Sequence, residues 1–152
     1  MLRVIARTVW GAAVVAAMAL LALPAAAETL FHRAENQVPV AMVQVVRTAD
    51  YTEVHLQTQA ALKRVCWNST GPNSPYLLAD GRRYRYLSGE NITACPTQRP
   101  YGDKDVMVLR FEPLASQARA FSLVEGQGGE NQMIDPKSSG TQYWNFLRIK
   151  LN

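Results

Sequence analysis

The stretch YLLADGRRYRYLSGENI, Tyr76 to Ile92, indicates the fold class of this chain most clearly. At its centre stands Asp80-Gly81, flanked on both sides by residues that favour strands. Asp-Gly is among the strongest two-residue hairpin signals, because a type I′ turn requires positive φ at both of its central positions. The stretch therefore predicts a β-hairpin that turns at Asp80-Gly81.

The strand after this turn separates aromatic from basic side chains. Period-2 alternation directs Tyr84 and Tyr86 toward one face. The other face receives Arg83, Arg85 and Leu87. Two interpretations are open: a cationic hairpin that grips an anionic partner, or a strand with inward tyrosines and arginine stems covering a sheet edge. The alternation favours the second, and the arginines remain the first residues to test for a partner.

The same period-2 pattern recurs along the chain from Val38 to the C-terminus. Three sets of residues are predicted to share inward or outward faces of strands: Thr52, Val54 and Leu56; Met107, Leu109 and Phe111; Leu147, Ile149 and Leu151. Further strands are expected at 38–46, 62–67, 76–78, 83–87 and 121–124. Loops rich in turn residues separate them, at 68–75, 98–103 and 125–132. About eight short strands predict an all-β fold, an antiparallel Ig-like β-sandwich.

The N-terminus has the features of a secretory signal peptide. Arg3 and Arg7 precede an apolar run, Val9 to Leu23, which Pro24 ends. Residues 25–27 are three alanines, matching the A-x-A signature of signal-peptidase cleavage. A membrane-anchoring helix is the alternative, and the proline argues against it. Residues 1–27 are therefore predicted to be removed, with no membrane span left in the exported protein.

Removing residues 1–27 from the 152-residue chain leaves about 125 residues, enough for one domain with a real core. Residues 28–37 lack a sustained pattern and are expected to form a loose N-terminal lead, with the β-sandwich at 38–152. The full chain carries a formal charge of +4, and the exported part about +2 without the leader's arginines. This charge is too small for a typical nucleic-acid-binding domain, which excludes that class of partner.

Cys66 and Cys95 are the chain's two cysteines. An even count in a small exported domain predicts a structural disulfide. A redox-active pair is more often spaced C-x-x-C, and a metal site needs further ligands nearby. We therefore predict a Cys66–Cys95 disulfide that closes a loop of about 30 residues around the hairpin.

No residue pattern predicts catalysis, a metal site or a cofactor. The histidines, His32 and His55, belong to no motif, and the sequence contains no G-x-S-x-G, H-E-x-x-H or P-loop. Carboxylates that could be imagined as an acid pair have no specific spacing: Glu112, Glu125, Glu130 and Asp135. We predict a protein without catalytic, metal-ligating or cofactor-binding residues.

Five segments together resemble an uncharacterised β-rich domain of exported bacterial proteins. They are YTEVHL (51–56), YLLADGRRYRYL (76–87), VLRFEPL (108–114), FSLVEG (121–126) and WNFLRIKL (144–151). The resemblance implies an Ig-like sandwich in an exported bacterial protein. It implies no catalytic or ligand-binding residue, and the Cys66–Cys95 pair and the connection at 95–105 depart from the family pattern.

The leading hypothesis from the sequence is a periplasmic or secreted, non-enzymatic binding or accessory module. Its partner would be an envelope protein or a cell-wall component. The candidate partner-binding residues are the hairpin arginines and two aromatics expected to be exposed: Arg82, Arg83, Arg85, Tyr101 and Trp144. One alternative is an inhibitor of an envelope hydrolase such as lysozyme. The other is a small carboxylate-dependent hydrolase of cell-wall or sugar substrates.

Overall fold

The computed structural model describes residues 25–134 and 141–152, and these residues are almost entirely strands and turns. The predicted leader falls outside the described residues, apart from its last three alanines. No helix in the described ranges is long and apolar enough to cross a membrane. The strands are β1 (Ala26–Arg33), β2 (Val40–Arg47), β3 (Thr52–Thr58), β4 (Leu62–Val65), β5 (Tyr76–Ala79), β6 (Arg82–Glu90), β7 (Arg99–Tyr101), β8 (Val106–Phe111), β9 (Ala120–Val124) and β10 (Phe146–Lys150).

Eight of these strands form one antiparallel sheet in the order β1-β2-β3-β8-β6-β5-β9-β10. Strand β6 pairs with β5 through Arg82–Arg85 and with β8 through Tyr86–Glu90. The sheet therefore curls at β6, and it becomes nearly barrel-shaped because β1 also contacts β10. The predicted all-β, antiparallel fold is confirmed. The hydrogen bonding runs through all eight strands and does not by itself divide them into the two sheets of an Ig-like sandwich.

The hairpin that the sequence predicts is present. Asp80 and Gly81 have φ values of 49° and 75°, and the flanking residues Ala79 and Arg82 pair across the turn. Positive φ at both positions is the requirement of a type I′ turn. The predicted faces of β6 are also confirmed, with the buried Tyr84 on one side and the exposed arginines on the other.

The core lies between the two halves of the curled sheet. Strand β3 alternates buried and half-buried positions along its whole length, and β8 does the same. Their register places inward residues opposite each other, with Val54 against Leu109 and Leu56 against Met107. All four side chains are fully buried. Period-2 patterning therefore identified the inner face of these central strands correctly.

Two segments expected to be irregular are strands. Residues 28–37, expected as a loose lead, contribute most of β1, which pairs with β2. Exposure alternates along β1, but its half-buried positions are Glu28, Leu30 and His32 while Phe31 is exposed, so hydrophobicity does not follow the alternation. Arg99–Tyr101, within the expected loop 98–103, forms β7 and pairs with β4. A short edge strand such as β7 buries too few side chains for its period-2 alternation to be visible in the sequence.

The C-terminal strand also differs from its predicted alternation. Phe146 and Ile149 are buried, whereas Leu147 is only half-buried. The pairing of β10 with β9 shifts register between Phe146 and Ile149, and Arg148 has a φ of 53° in this interval. A bulge moves the following side chains to the opposite face, which is why strict period-2 counting misplaced Leu147.

Side chains connect the two end strands of the sheet, β1 and β10. The Glu28 carboxylate accepts a hydrogen bond from the Asn152 backbone N–H at 2.8 Å and pairs with the Arg47 guanidinium at 3.0 Å. Glu35 accepts one from the Leu147 N–H at 3.2 Å. These carboxylates satisfy backbone donors at a seam where strand pairing is not continuous.

The predicted disulfide between Cys66 and Cys95 is confirmed. It lies beside the small sheet formed by β4 and β7. The backbone N–H of Trp67 donates to Thr93 O at 2.9 Å, and the N–H of Cys95 donates to Trp67 O at 3.0 Å. The disulfide and these bonds hold the small sheet against the remainder of the domain.

Replacing Gly126 with alanine should destabilise the protein more than replacing Gly71. Both glycines have a left-handed φ, +85° and +82°, so both substitutions incur about 1–2 kcal/mol of backbone strain. A Cβ on Gly126 would lie 2.4 Å from the Tyr143 ring, whereas one on Gly71 would meet no atom within 4 Å. Urea unfolding should show about 1–3 kcal/mol of additional loss for Gly126→Ala. Equal losses would show that the ring contact has no effect on stability.

Removing the disulfide by Cys66→Ser with Cys95→Ser should lower the free energy of unfolding by about 3–4 kcal/mol, since the loop spans 29 positions. Chemical denaturation with and without a reducing agent measures this. The reductant should destabilise the wild type and leave the double variant unchanged. A wild type insensitive to complete reduction would contradict the stabilising role.

Candidate functional site

A cleft of about 640 Å³ opens beside the disulfide. One group of its lining residues comes from β4, from the residues that follow it up to Asn68, and from Cys95 and Gln98. The other group comes from the end of β9 and the segment before β10, with Glu125 and Trp144 as its largest side chains. The volume falls in the range of small-molecule and peptide sites, about 300–1,000 Å³.

Two tryptophans form the aromatic part of the cleft. The rings of Trp67 and Trp144 pack with centroids 5.8 Å apart and planes inclined by 60°, a tilted arrangement that aromatic pairs favour. Both side chains are largely buried. The indole nitrogen of Trp67 has no hydrogen-bond partner among the described residues. A buried donor without a partner costs about 1–3 kcal/mol of stability.

Glu125 is the buried carboxylate of the cleft, with only 5% of its surface exposed. Its Oε2 accepts a hydrogen bond from the Trp144 backbone N–H at 3.0 Å. Its own backbone N–H donates to Asn145 Oδ1 at 2.8 Å, and the Asn145 amide donates to Gln132 O at 2.9 Å. These bonds fix the orientation of Glu125 and tie the end of β9 to the segment before β10.

The basic part of the cleft comes from β4. Lys63 and Arg64 are exposed, and Arg64 Nε donates to Gln98 Oε1 at 2.7 Å. Neither cation forms an ion pair with any residue that the structure describes. The sequence has no Asp or Glu at positions 54–79 or 91–102, which include both sides of the small sheet. This end of the cleft is therefore electropositive.

The hairpin arginines are exposed, as predicted, and they do not line the cleft. The Arg82 guanidinium lies 4.8 Å from the ring centroid of Tyr84, and that of Arg83 lies 4.3 Å from the ring centroid of Tyr76. These distances are within the range of cation–π contacts.

The third hairpin arginine, Arg85, is paired with a carboxylate. Its Nη2 lies 2.8 Å from Glu112 Oε1, and its backbone N–H donates to Glu112 Oε2 at 3.0 Å. Hydrogen bonds from the backbone and the guanidinium of Arg85 lower the pKa of Glu112. Arg85 thus helps join β6 to the residue after β8, which accounts for it structurally.

Tyr101 and Trp144, expected to be exposed, are buried, with 3% and 7% of their surfaces accessible. Tyr101 belongs to β7, where its hydroxyl accepts a hydrogen bond from the Thr93 N–H at 3.2 Å. Trp144 packs against Trp67 and lines the cleft. The prediction that these two aromatics are exposed was wrong, because both side chains belong to the hydrophobic core. Of the five predicted residues, Trp144 is the one that lines the cleft.

A network of charged side chains crosses the outer face of the sheet. Arg110 Nε lies 2.7 Å from Glu53 Oε1, and Arg110 also pairs with Glu90. His55 Nε2 lies 3.2 Å from Glu53 Oε2. Burial opposes ionisation of Glu53, but hydrogen bonds from Arg110 and His55 outweigh it and lower the pKa of Glu53. Bonds to Glu53 and Glu90 raise the pKa of Arg110. The network joins β3, β8 and β6.

The carboxylates considered as an acid pair have separate partners. Glu112 pairs with Arg85, Glu125 accepts from Trp144, and Glu130 accepts from the Ser122 hydroxyl. Asp135 lies outside the described residues. Within residues 25–134 and 141–152, no three histidine, cysteine or acidic side chains form a group able to hold a metal ion.

Sequence reasoning missed most residues of the cleft, notably Lys63, Arg64, Trp67 and Glu125. A weak signal was available. The acid-free interval 54–79 contains adjacent basic residues just before Cys66-Trp67. Nothing local indicates that Glu125, about 60 positions later, belongs to the same cleft.

Comparisons with known proteins add no relative: no protein-family model, curated protein or solved structure matches this chain. Function must therefore be argued from the geometry of the chain itself.

Glu53→Gln should lower the free energy of unfolding at pH 7 by about 1–2 kcal/mol, because it weakens charged hydrogen bonds to Arg110. The pKa of Glu53 is lowered in the folded state, so its stabilisation is complete above its ordinary value of about 4.5. That stabilisation is lost as the pH falls through the folded-state pKa. Unfolding curves from pH 7 to pH 3 should therefore decline less steeply for the variant.

The exposed Asp50 provides the control for this measurement. Asp50→Asn removes one carboxylate outside the network and should leave the stability at pH 7 within about 0.5 kcal/mol of the wild type. If Glu53→Gln and the wild type lose stability in parallel on acidification, protonation of Glu53 is not what destabilises the folded protein.

Proposed function

We propose that this protein is an exported, non-enzymatic binding module of the bacterial periplasm, and that the cleft beside the disulfide is its ligand site. The observation that carries the proposal is the make-up of the cleft. Two packed tryptophans, a hydrogen-bonded buried carboxylate and an electropositive strand line one cavity of ligand size. A site of this kind holds a ligand without needing to transform it.

Two further features support export and accessory binding. The leader sequence matches a signal peptide that ends at Ala27. The Cys66–Cys95 disulfide fits an oxidising compartment, because cytosolic thiols are kept reduced. The partner would then be an envelope protein or a cell-wall component, encountered outside the cytoplasm.

The finer description of the fold belongs to the same proposal. The split pairing of β6 brings two halves of one sheet to face each other across the core, an arrangement related to a sandwich. Membership of the uncharacterised exported bacterial family, with its Ig-like sandwich, would account for this arrangement and for the order of the five shared segments.

A second candidate function is inhibition of an envelope hydrolase such as lysozyme. Its supporting observation is that Arg82 and Arg83 are exposed, stack on tyrosines and form no ion pair with any described residue. Two such arginines at the end of a rigid hairpin could enter an acidic catalytic cleft. Assays with several lysozymes test this, and full enzyme activity at micromolar protein would exclude it.

The main proposal is tested by NMR spectra of the labelled protein before and after addition of soluble, low-molecular-weight envelope material. The indole N–H signals of Trp67 and Trp144 should shift, because both rings line the cleft. Gln142→Trp adds bulk at an exposed lining residue. Because the new side chain would exclude the ligand from part of the cleft, the affinity measured from these shifts should fall at least about tenfold.

Gln117→Trp supplies the matched control, since Gln117 is exposed and does not line the cleft. It should leave the response unchanged. Shifts confined to the hairpin around Arg82 and Arg83 would place the binding surface there and contradict the cleft proposal.

A further inference from the structure

We propose that the cleft recognises a carboxylate group through the cations of β4, Lys63 and Arg64. This inference rests on the proposed binding function and names the chemical class of its ligand. The small sheet concentrates positive charge. Arg99 of β7 adds a third exposed cation to those of β4, and no acidic residue occurs in either neighbouring interval, 54–79 or 91–102.

The two β4 cations remain available to a ligand. Lys63 forms no hydrogen bond or ion pair with a residue that the structure describes. Arg64 uses its Nε for Gln98, which orients the guanidinium and leaves both terminal nitrogens without a partner in the described ranges. A guanidinium oriented in this way is suited to a carboxylate, which accepts two parallel N–H bonds.

Three arginines outside the cleft are occupied by ion pairs. Arg47, Arg85 and Arg110 each pair with a glutamate that joins neighbouring strands. These arginines stabilise the fold. Lys63 and Arg64 differ because they form no ion pair with any described residue and lie on the wall of the cleft.

The remaining cleft chemistry is compatible with an acid. The indole N–H of Trp67 is fully buried, so the Trp67 and Trp144 rings offer a carboxylate no repulsive charge and no direct contact of their own. Glu125 is the acidic group of the lining, and its Oε2 is already engaged by the Trp144 N–H. The cationic end at β4 is therefore where a ligand carboxylate would be placed.

A carboxylate could come from a peptide terminus or from an acidic sugar, and two matched pairs of probes separate these sources. The first pair is N-acetyl-Ala-Ala and its C-terminal amide. The second is N-acetylmuramic acid and its methyl ester, which keeps the lactyl group and removes the charge of its carboxylate. Each is titrated into the purified, disulfide-bonded protein while the indole N–H signals of Trp67 and Trp144 are followed by NMR.

At least one acid should bind about five- to tenfold more tightly than its neutral counterpart, and should weaken when NaCl rises from about 50 to about 500 mM. Lys63→Gln with Arg64→Gln should abolish this preference. Arg82→Gln with Arg83→Gln removes the same charge from the hairpin, outside the cleft, and should preserve it. All four substituted residues are exposed, so thermal unfolding should confirm that both double variants fold.

The possible results distinguish failure of the carboxylate inference from failure of the proposed binding function. Preference for one acid identifies its source, and preference for both shows that the carboxylate suffices. If the acid and neutral probes bind the cleft equally, the carboxylate inference is overturned while the binding function stands. A preference for the acid that survives Lys63→Gln with Arg64→Gln, or no binding by any of the four probes, also overturns it.

Discussion

Strand β6 is the element on which the rest of this structure depends. Its first half pairs with β5 and its second half with β8, so one strand joins the two halves of the sheet. A register shift between Tyr86 and Ser88 marks the change of partner. Because hydrogen bonding continues through this bend, the sheet curls instead of lying flat, and the inward side chains of β3, β8 and β9 meet in a single core.

The cleft follows from how the long loop around this hairpin is tied down. Residues 66 and 95 flank the β5–β6 hairpin, and their disulfide brings the two ends of the loop together. The small sheet and the backbone pairing of Trp67 with the segment before Cys95 then place Lys63 and Arg64 beside the segment that precedes β10. The cleft thus joins parts of the chain that are about 60 positions apart, on a support fixed by one covalent bond and several backbone hydrogen bonds.

Charge has two roles in this domain, and the structure separates them. Glu28 with Arg47, Glu53 with Arg110 and Glu112 with Arg85 connect neighbouring strands or the two end strands. In these pairs each partner orients the other, so the arginines are structural. The cations of β4 lack such pairs within the described chain, and so do Arg82 and Arg83 of the hairpin. Lys63 and Arg64 also line the cleft, which the hairpin arginines do not, so the small sheet is the better candidate for ligand recognition.

The sequence by itself determined the features that arise from neighbouring residues. The Asp80-Gly81 turn, the inner faces of β3 and β8 and the separation of tyrosines from arginines on β6 follow from local conformation and period-2 alternation. The disulfide was predicted from the cysteine count and the signal-peptide pattern. These interactions span a few residues or have one available partner, so their outcome does not depend on the rest of the fold.

Only the tertiary structure decided the order of the strands, the strand character of residues 26–33 and 99–101, and the composition of the cleft. A bulge in β10 breaks the alternation that sequence analysis relies on, so Leu147 was misplaced. Strand β1 was missed because polar Glu28 and His32 occupy half-buried positions while Phe31 is exposed. Tyr101 and Trp144 looked exposed because nothing local shows what will cover them. Burial and binding sites depend on long-range contacts, and the packing of distant segments against each other sets those contacts.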